Sequence, residues 1–155
     1  KSLKWNDDAS RSFEVVKKCL LEKLELNILN PDAPFILHTD ASDYAVGACL
    51  SQMDGEREKP IAFWSRKLTK GQRRGWSPRE EETYAIVEAL KKWSGWIGLQ
   101  PVVVKTDHKV LESWWKECVD TPSGPAGRRG RWHELLSKFD LTVVYVPGRS
   151  NSVAD

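Results

Sequence analysis

The chain has 155 residues, 40% of them hydrophobic and 30% charged, with a formal net charge of +2. That length suits one domain with a substantial core, and the balance excludes a disordered polymer. No apolar run reaches the length a bilayer demands and no signal-peptide pattern opens the sequence, so neither membrane insertion nor secretion is expected. The chain begins at Lys1 and its one methionine, Met53, is internal, which reads as a fragment of something longer. Two basic clusters, Arg73–Arg74 and Arg128–Arg129–Arg131, are ordinarily solvated surface but can also serve phosphate contacts. The cysteines at 19, 49 and 118 have no metal-ligand spacing, and the first two lie in apolar stretches, as suits free thiols in a reducing compartment.

Helical spacing of Phe13, Val16, Leu20 and Leu24 predicts an amphipathic helix over Asp8 to Lys23, capped by Asp7, Asp8 or Ser10. Asn30-Pro31-Asp32-Ala33-Pro34 breaks the chain, so residues 1–34 read as a leading helix and linker and 35–155 as the main domain. Phe35 to Thr39 suits a central strand. Tyr44 to Gln52 is a second strand, small and apolar, and the Met53-Asp54-Gly55-Glu56 turn leads back along Ile61 to Trp64. Then the period changes. Ser77-Pro78-Arg79-Glu80 is a capping box with proline at the first helical position, and the helix should run to about Trp96, with Gly98 past its end.

Pro101 to Lys105 is a strand and Asp107 to Lys116 a second helix. Asp120 to Gly130, with its prolines and glycines, reads as a flexible loop. Arg131 to Phe139 is a short helix and Leu141 to Val146 a last strand before the Pro147-Gly148 turn. Three hairpin-linked strands followed by a βαβ crossover predict an α/β domain, a five-stranded mixed sheet with helices on both faces.

Four acids sit where an apolar element meets a turn: Asp40, Glu82, Asp107 and Asp155. Each has an ordinary reading. Asp40 could be a turn aspartate, Asp107 a helix cap, and Asp155 merely the last residue. Glu80 and Glu81 fit a dipole-compensating first turn. Glu82 differs, because it shares a stripe with Ile86, Ala89 and Trp93, where a carboxylate is costly unless something positive meets it. If all four acids converged they would repel one another, and divalent cations would relieve that repulsion. Two ions form the usual clamp for phosphodiester hydrolysis.

These residues also carry a resemblance. The run Phe35 to Ala48 is similar to the first active-site strand and hairpin of the ribonuclease H domain in gypsy-class LTR-retrotransposon reverse transcriptases. Glu82 to Leu90, Thr106-Asp107-His108-Lys109 and Pro147 to Asp155 resemble that family's next three motifs, in order. Lys1 to Pro34 resembles the stretch leading out of the polymerase's connecting region. The resemblance implies a ribonuclease H-like fold with Asp40, Glu82, Asp107 and Asp155 as the catalytic, metal-binding set. It implies two Mg²⁺ ions, for which Mn²⁺ can substitute, and cleavage of the RNA strand of an RNA–DNA hybrid. The implied partners are that hybrid and a fused polymerase domain, and the implied place is a cytoplasmic retroelement particle or the nucleus.

Many ribonucleases H carry a histidine about ten residues before the last acid, whereas this chain has Tyr145. A phenol is a poor base at neutral pH, so a packing, hydrogen-bonding or positioning role fits Tyr145 better. His108 is the weaker candidate for proton transfer. Trp114, Trp115, Arg128, Arg129, Arg131 and Trp132 form an aromatic-basic cluster that suits sugar–phosphate contact, although helix packing explains the tryptophans equally well. A catalytically silent module of the same fold, serving as a structural connection or hybrid-binding part, is the alternative. An integrase-like nuclease is a third, disfavoured by the helix glutamate and the fourth aspartate.

Overall fold

The computed structural model describes residues 5–23, 26–109, 111 and 127–147. Five strands form one mixed sheet: β1 (Phe35–Ala41), β2 (Ala45–Asp54), β3 (Arg57–Lys67), β4 (Val102–Thr106) and β5 (Leu141–Tyr145). Their order is β3-β2-β1-β4-β5. The β1–β2 and β2–β3 pairs are antiparallel, while β1–β4 and β4–β5 are parallel. Hairpins account for the first three strands and crossovers for the last two, as the alternation of elements predicts.

The β2–β3 turn depends on Gly55, whose φ of 61° lies where a side chain is strained. Strand β3 begins at Arg57, four residues before the apolar run that marks it in sequence. It is an edge strand, which is why it accommodates Pro60.

The helices are α1 (Asp7–Lys23), α2 (Lys70–Gly75), α3 (Pro78–Ile97) and α4 (Arg128–Leu136). Asn6 caps α1, its Oδ1 accepting from the Ala9 N–H at 2.9 Å, so none of the three candidates named from sequence is the cap. The predicted stripe of α1 forms, but Phe13, Val16 and Leu20 are each about half exposed. Leu24 lies outside the described residues. Helix α2 has no counterpart in the sequence reading, yet Thr69 and Gln72 give it a full capping box.

Helix α3 starts as predicted. Glu80 N–H donates to Ser77 Oγ, and Glu80 Oε2 accepts from Ser77 N–H at 3.0 Å. It ends at Gly98, whose φ is 55°. Packed against β1 and β2, it buries Ile86, Ala89 and Trp93 together with Tyr84, Ala85, Val87 and Leu90. Glu81 lies in the first turn, as its position predicts, and is also buried. Asp107 to Lys109 form a bend and turn, not the start of a helix. Leu111 is helical, and the rest of the helix expected there lies outside the described residues.

Candidate active site

Parallel pairing of β1 with β4 puts the carboxyl ends of both strands side by side. His38 is the register partner of Lys105, so two residues further on Asp40, still within β1, and Asp107, just past the end of β4, stand next to each other. The first turns of α3 lie over the same end and add Glu82. One carboxylate oxygen from each of Asp40, Glu82 and Asp107 lies within 4.8 Å of the other two. This corner of an open α/β sheet, beyond the carboxyl ends of its strands, is where such folds gather chemistry.

The three acids meet different surroundings. Asp107 is exposed, Asp40 is partly buried and Glu82 is 6% exposed. Glu82 Oε1 accepts from the Ala41 N–H at 3.1 Å, which aims the side chain at the end of β1. Its other oxygen, Oε2, is buried without a hydrogen-bond partner among the described residues. Burial first, then the charges of Asp107 and Asp40, push the Glu82 carboxyl up to about 8, against the opposing pull of the Ala41 N–H. Next to it, burial and the charge of Asp43 raise Glu81.

Such a group of atoms calls for a cation. An orphaned, buried carboxylate oxygen facing two more carboxylates is costly in the charged form, and a divalent ion supplies the missing partner. Oxygens on one Mg²⁺ octahedron sit about 3 Å apart when adjacent and about 4.2 Å apart when opposite, so the trio would draw together by side-chain movement to share an ion. The donor set is all oxygen, as hard Mg²⁺ or Mn²⁺ requires.

The other residues singled out in the sequence fall unevenly. Asp155 lies outside the described residues, as do Trp114, Trp115 and the Arg128 side chain. Tyr145 ends β5, paired in register with Thr106, so it stands one strand away from the exit that carries Asp107. The His108 N–H donates to Thr106 Oγ1 at 3.2 Å, and its buried Nδ1 has no hydrogen-bond partner among the described residues. Arg129 reaches Glu80 at 3.8 Å, and Arg131 is exposed. Trp132 is a core residue. Its ring meets Trp76 edge-on with centroids 5.5 Å apart and lies 6.2 Å from Tyr84, so packing explains it.

One polar group near the site was not found from sequence. Glu58, on β3, accepts from His38 Nε2 at 2.5 Å and from Lys105 Nζ at 2.8 Å. Burial would raise its carboxyl, but those two hydrogen bonds and the charges behind them outweigh it and hold Glu58 down to about 2. His38 and Lys105 each stand two residues before a site aspartate, so this bridge ties together the strands that present Asp40 and Asp107. Only the strand register brings the three together, and no local pattern signals it.

Comparison with known proteins agrees with this arrangement. Residues 30–139 match the family model of the RNase H-like domain found in reverse transcriptase. The chain is 33% identical over 156 residues to the Transposon Tf2-3 and Tf2-4 polyproteins of Schizosaccharomyces pombe. Those alignments cover 98% of this chain and 11% of each polyprotein, so the chain spans about a tenth of the relatives it matches.

Among solved structures, the foamy viral protease-reverse transcriptase in complex with dsDNA superposes with a TM-score of 0.66 at 21% identity, covering 94% of this chain and 31% of that one. The same viral protein in complex with RNA/DNA hybrid gives 0.59 at 21% identity, over 96% and 20%. RNase H1 from the archaeon Halobacterium salinarum gives 0.56 at 20% identity, over 79% and 92%. At those identities the superpositions establish the fold, and the family-model match establishes membership. The chain belongs to the RNase H-like domains found in reverse transcriptases, the family that its motifs resemble.

Proposed function

We propose that this domain hydrolyses the RNA strand of RNA–DNA hybrids during reverse transcription, as the nuclease part of a retroelement polyprotein that also carries the polymerase. The observation that carries the reading is the trio of Asp40, Glu82 and Asp107 oxygens within 4.8 Å, with Glu82 Oε2 buried and unpartnered. Nothing in a purely structural module requires that expense. Burying an acid against two others destabilises a fold, and the cost makes sense where a cation is to be held.

Asp40, Glu82 and Asp107 are the residues that would hold two Mg²⁺ ions, with Asp155 as the fourth ligand that the closing motif implies. When bound, the ions supply an activated water and stabilise the charge that develops on the leaving oxygen. The protein's own part is positioning. The Ala41 N–H fixes the Glu82 carboxylate, and the Glu58 bridge to His38 and Lys105 holds β1 and β4 in register beneath the two aspartates. Tyr145, at the end of the neighbouring strand, is proposed to orient rather than to take a proton. Arg128, Arg129 and Arg131 are proposed to meet backbone phosphates. Preference for a hybrid would rest on 2′-hydroxyl contacts and groove shape, since neither needs a base to be read. The domain would work in a cytoplasmic retroelement particle or the nucleus.

The test is cleavage of an end-labelled RNA–DNA hybrid with Mg²⁺, with EDTA, and by Asp107→Asn. Cutting should need both the metal and Asp107. Equal cutting by the variant would overturn the mechanism, and hybrid binding without cutting by the parent would favour a silent module.

A further inference from the structure

A cleft of about 400 Å³ opens where the β1–β2 turn faces α2, lined by Asp43, Tyr44, Lys70, Arg73 and Arg74. Three cations thus face one carboxylate. The cleft is shaped by two ties. The Leu68 N–H donates to the Tyr44 carbonyl at 2.8 Å, bringing the exit of β3 against the turn, and the Thr69–Gln72 capping box then sets the direction of α2. Within it the Arg73 guanidinium lies over the Tyr44 ring, 4.2 Å from the centroid. A stacked guanidinium is held in place before any ligand arrives, with its N–H edge still open to one. Lys70, Arg73 and Arg74 are all exposed, and the ion pairs found among the described residues include none of the three. Tyr44 is 63% exposed.

The cleft also stands beside the candidate active site. Asp43 lies three residues beyond Asp40 and close enough for its charge to act on Glu81, the neighbour of Glu82. A strand of nucleic acid whose scissile bond sits on the carboxylates carries further phosphates to either side, and cations in this cleft would meet those that pass it. We infer that Lys70, Arg73 and Arg74, with Tyr44 as the platform for Arg73, form a phosphate-binding cleft that grips the backbone of the hybrid to one side of the cleavage position. This inference rests on the nuclease reading above and adds to it a specific handhold. Phosphate contact fixes register and carries no base preference, so duplex DNA should be gripped by the same side chains.

The experiment measures binding of a fluorescein-labelled RNA–DNA hybrid by anisotropy in EDTA, over a range of salt. The proteins are the parent chain, Arg73→Ala/Arg74→Ala, Tyr44→Ala, and Lys17→Ala/Lys18→Ala as a control that removes the same charge from α1. Arg73→Ala/Arg74→Ala should bind roughly tenfold more weakly and lower the slope of log affinity against log salt by about 1, the signature of one lost phosphate contact. Tyr44→Ala should weaken binding several-fold and leave the slope alone, because it removes no charge. Unchanged melting temperatures show that the exposed variants remain folded. The cleft is overturned if Arg73→Ala/Arg74→Ala loses no more affinity or slope than the α1 control. If the parent cuts the hybrid with Mg²⁺ in that case, the nuclease reading stands and the cleft alone fails. Loss of binding on substitution, in a parent that cuts nothing, keeps the cleft and removes the nuclease.

Discussion

The carboxylate of Glu82 accepts a 3.1 Å hydrogen bond from the main-chain N–H of Ala41, the residue immediately after Asp40. Through that bond the first turns of α3 are fastened to the end of β1, and one oxygen of Glu82 is used structurally while the other stays buried without a partner. The two oxygens can be separated by substitution. Glu82→Gln keeps an acceptor for Ala41 and removes the charge that Asp40 and Asp107 oppose. Hybrid cleavage should fall by at least about 100-fold, as expected when a charged ligand of a divalent ion is lost. The metal-free melting temperature at pH 8 should rise instead, by several degrees. A variant that melts lower than the parent in EDTA would show that the three carboxylates do not repel one another as their spacing implies.

The pH dependence of stability follows from the same group. Glu82 has a folded pKa of about 8 against an ordinary 4.5. The folded state therefore keeps a proton that the unfolded chain releases. The contribution of this group is whole below pH 4.5 and is lost as the pH rises towards 8, a change of a few kcal/mol at about 1.4 kcal/mol per unit. Glu58 has the opposite sign. Its pKa is held down to about 2, so its contribution is present above 4.5 and lost as the pH falls through 2. Denaturant melts in EDTA should show stability climbing from pH 2 to 4.5 and then declining towards pH 8. Millimolar Mg²⁺ should flatten the decline, and Glu82→Gln should remove most of it, leaving the share of Glu81, whose carboxyl is also raised. A decline undiminished in Glu82→Gln would place its origin elsewhere.

Removing the Glu58 bridge should cost stability before it costs chemistry. His38 is 4% exposed, and Glu58→Ala would leave its ring and the Lys105 ammonium without the acceptor that both use. Breaking a charged pair at a largely buried position by deleting one partner costs roughly 2–4 kcal/mol. Equilibrium unfolding should report that loss. Cleavage at a temperature where the variant is folded should drop by less than about tenfold, because Glu58 is proposed to position strands rather than to hold metal. A loss of activity as deep as that of Glu82→Gln, in a folded protein, would give Glu58 a larger part than this.

Much of the site was legible because its residues sit at changes of local pattern. Asp40 and Asp107 end apolar strands, and Ser77 with Glu80 announces the helix that brings Glu82, whose apolar stripe marked it as out of place. Helix α2 escaped for the opposite reason. Lys70-Gly71-Gln72-Arg73-Arg74-Gly75 has no apolar residue to make a period, although Thr69 and Gln72 spell a capping box that could have been found. Arg57 to Pro60 is strand only because β2 offers it a partner, which no propensity in those charged residues foretells. Arg128 to Gly130, read as the end of a loop for the prolines and glycines of residues 120–130, are helical in the fold. Contacts between distant strands, such as Glu58 with His38, become visible only once the register is known.

Gln52 gives the last prediction, and it bears on where the domain begins. Its side chain is fully buried on β2, where the amide NH₂ donates to the carbonyls of Asn30 and Ala33 at 2.7 and 2.8 Å and its oxygen accepts from the Asn30 N–H at 3.0 Å. The Asn27 N–H donates to the Pro60 carbonyl at 2.7 Å, a further tie from the same segment to the sheet edge. Residues 27–33 are thus fastened to the sheet by the Gln52 side chain and one main-chain bond, even though the Asn30–Pro34 cluster reads as a linker. Gln52→Leu keeps the volume and removes all three amide bonds. Since Asn30 is exposed, water can replace part of what is lost, so the cost should be about 1–2 kcal/mol. Limited proteolysis should then cut the variant between residues 26 and 34 at a protease dose that leaves the parent whole. If parent and variant are nicked there at equal rates, the segment is a loose connection after all, and the working domain starts at Phe35.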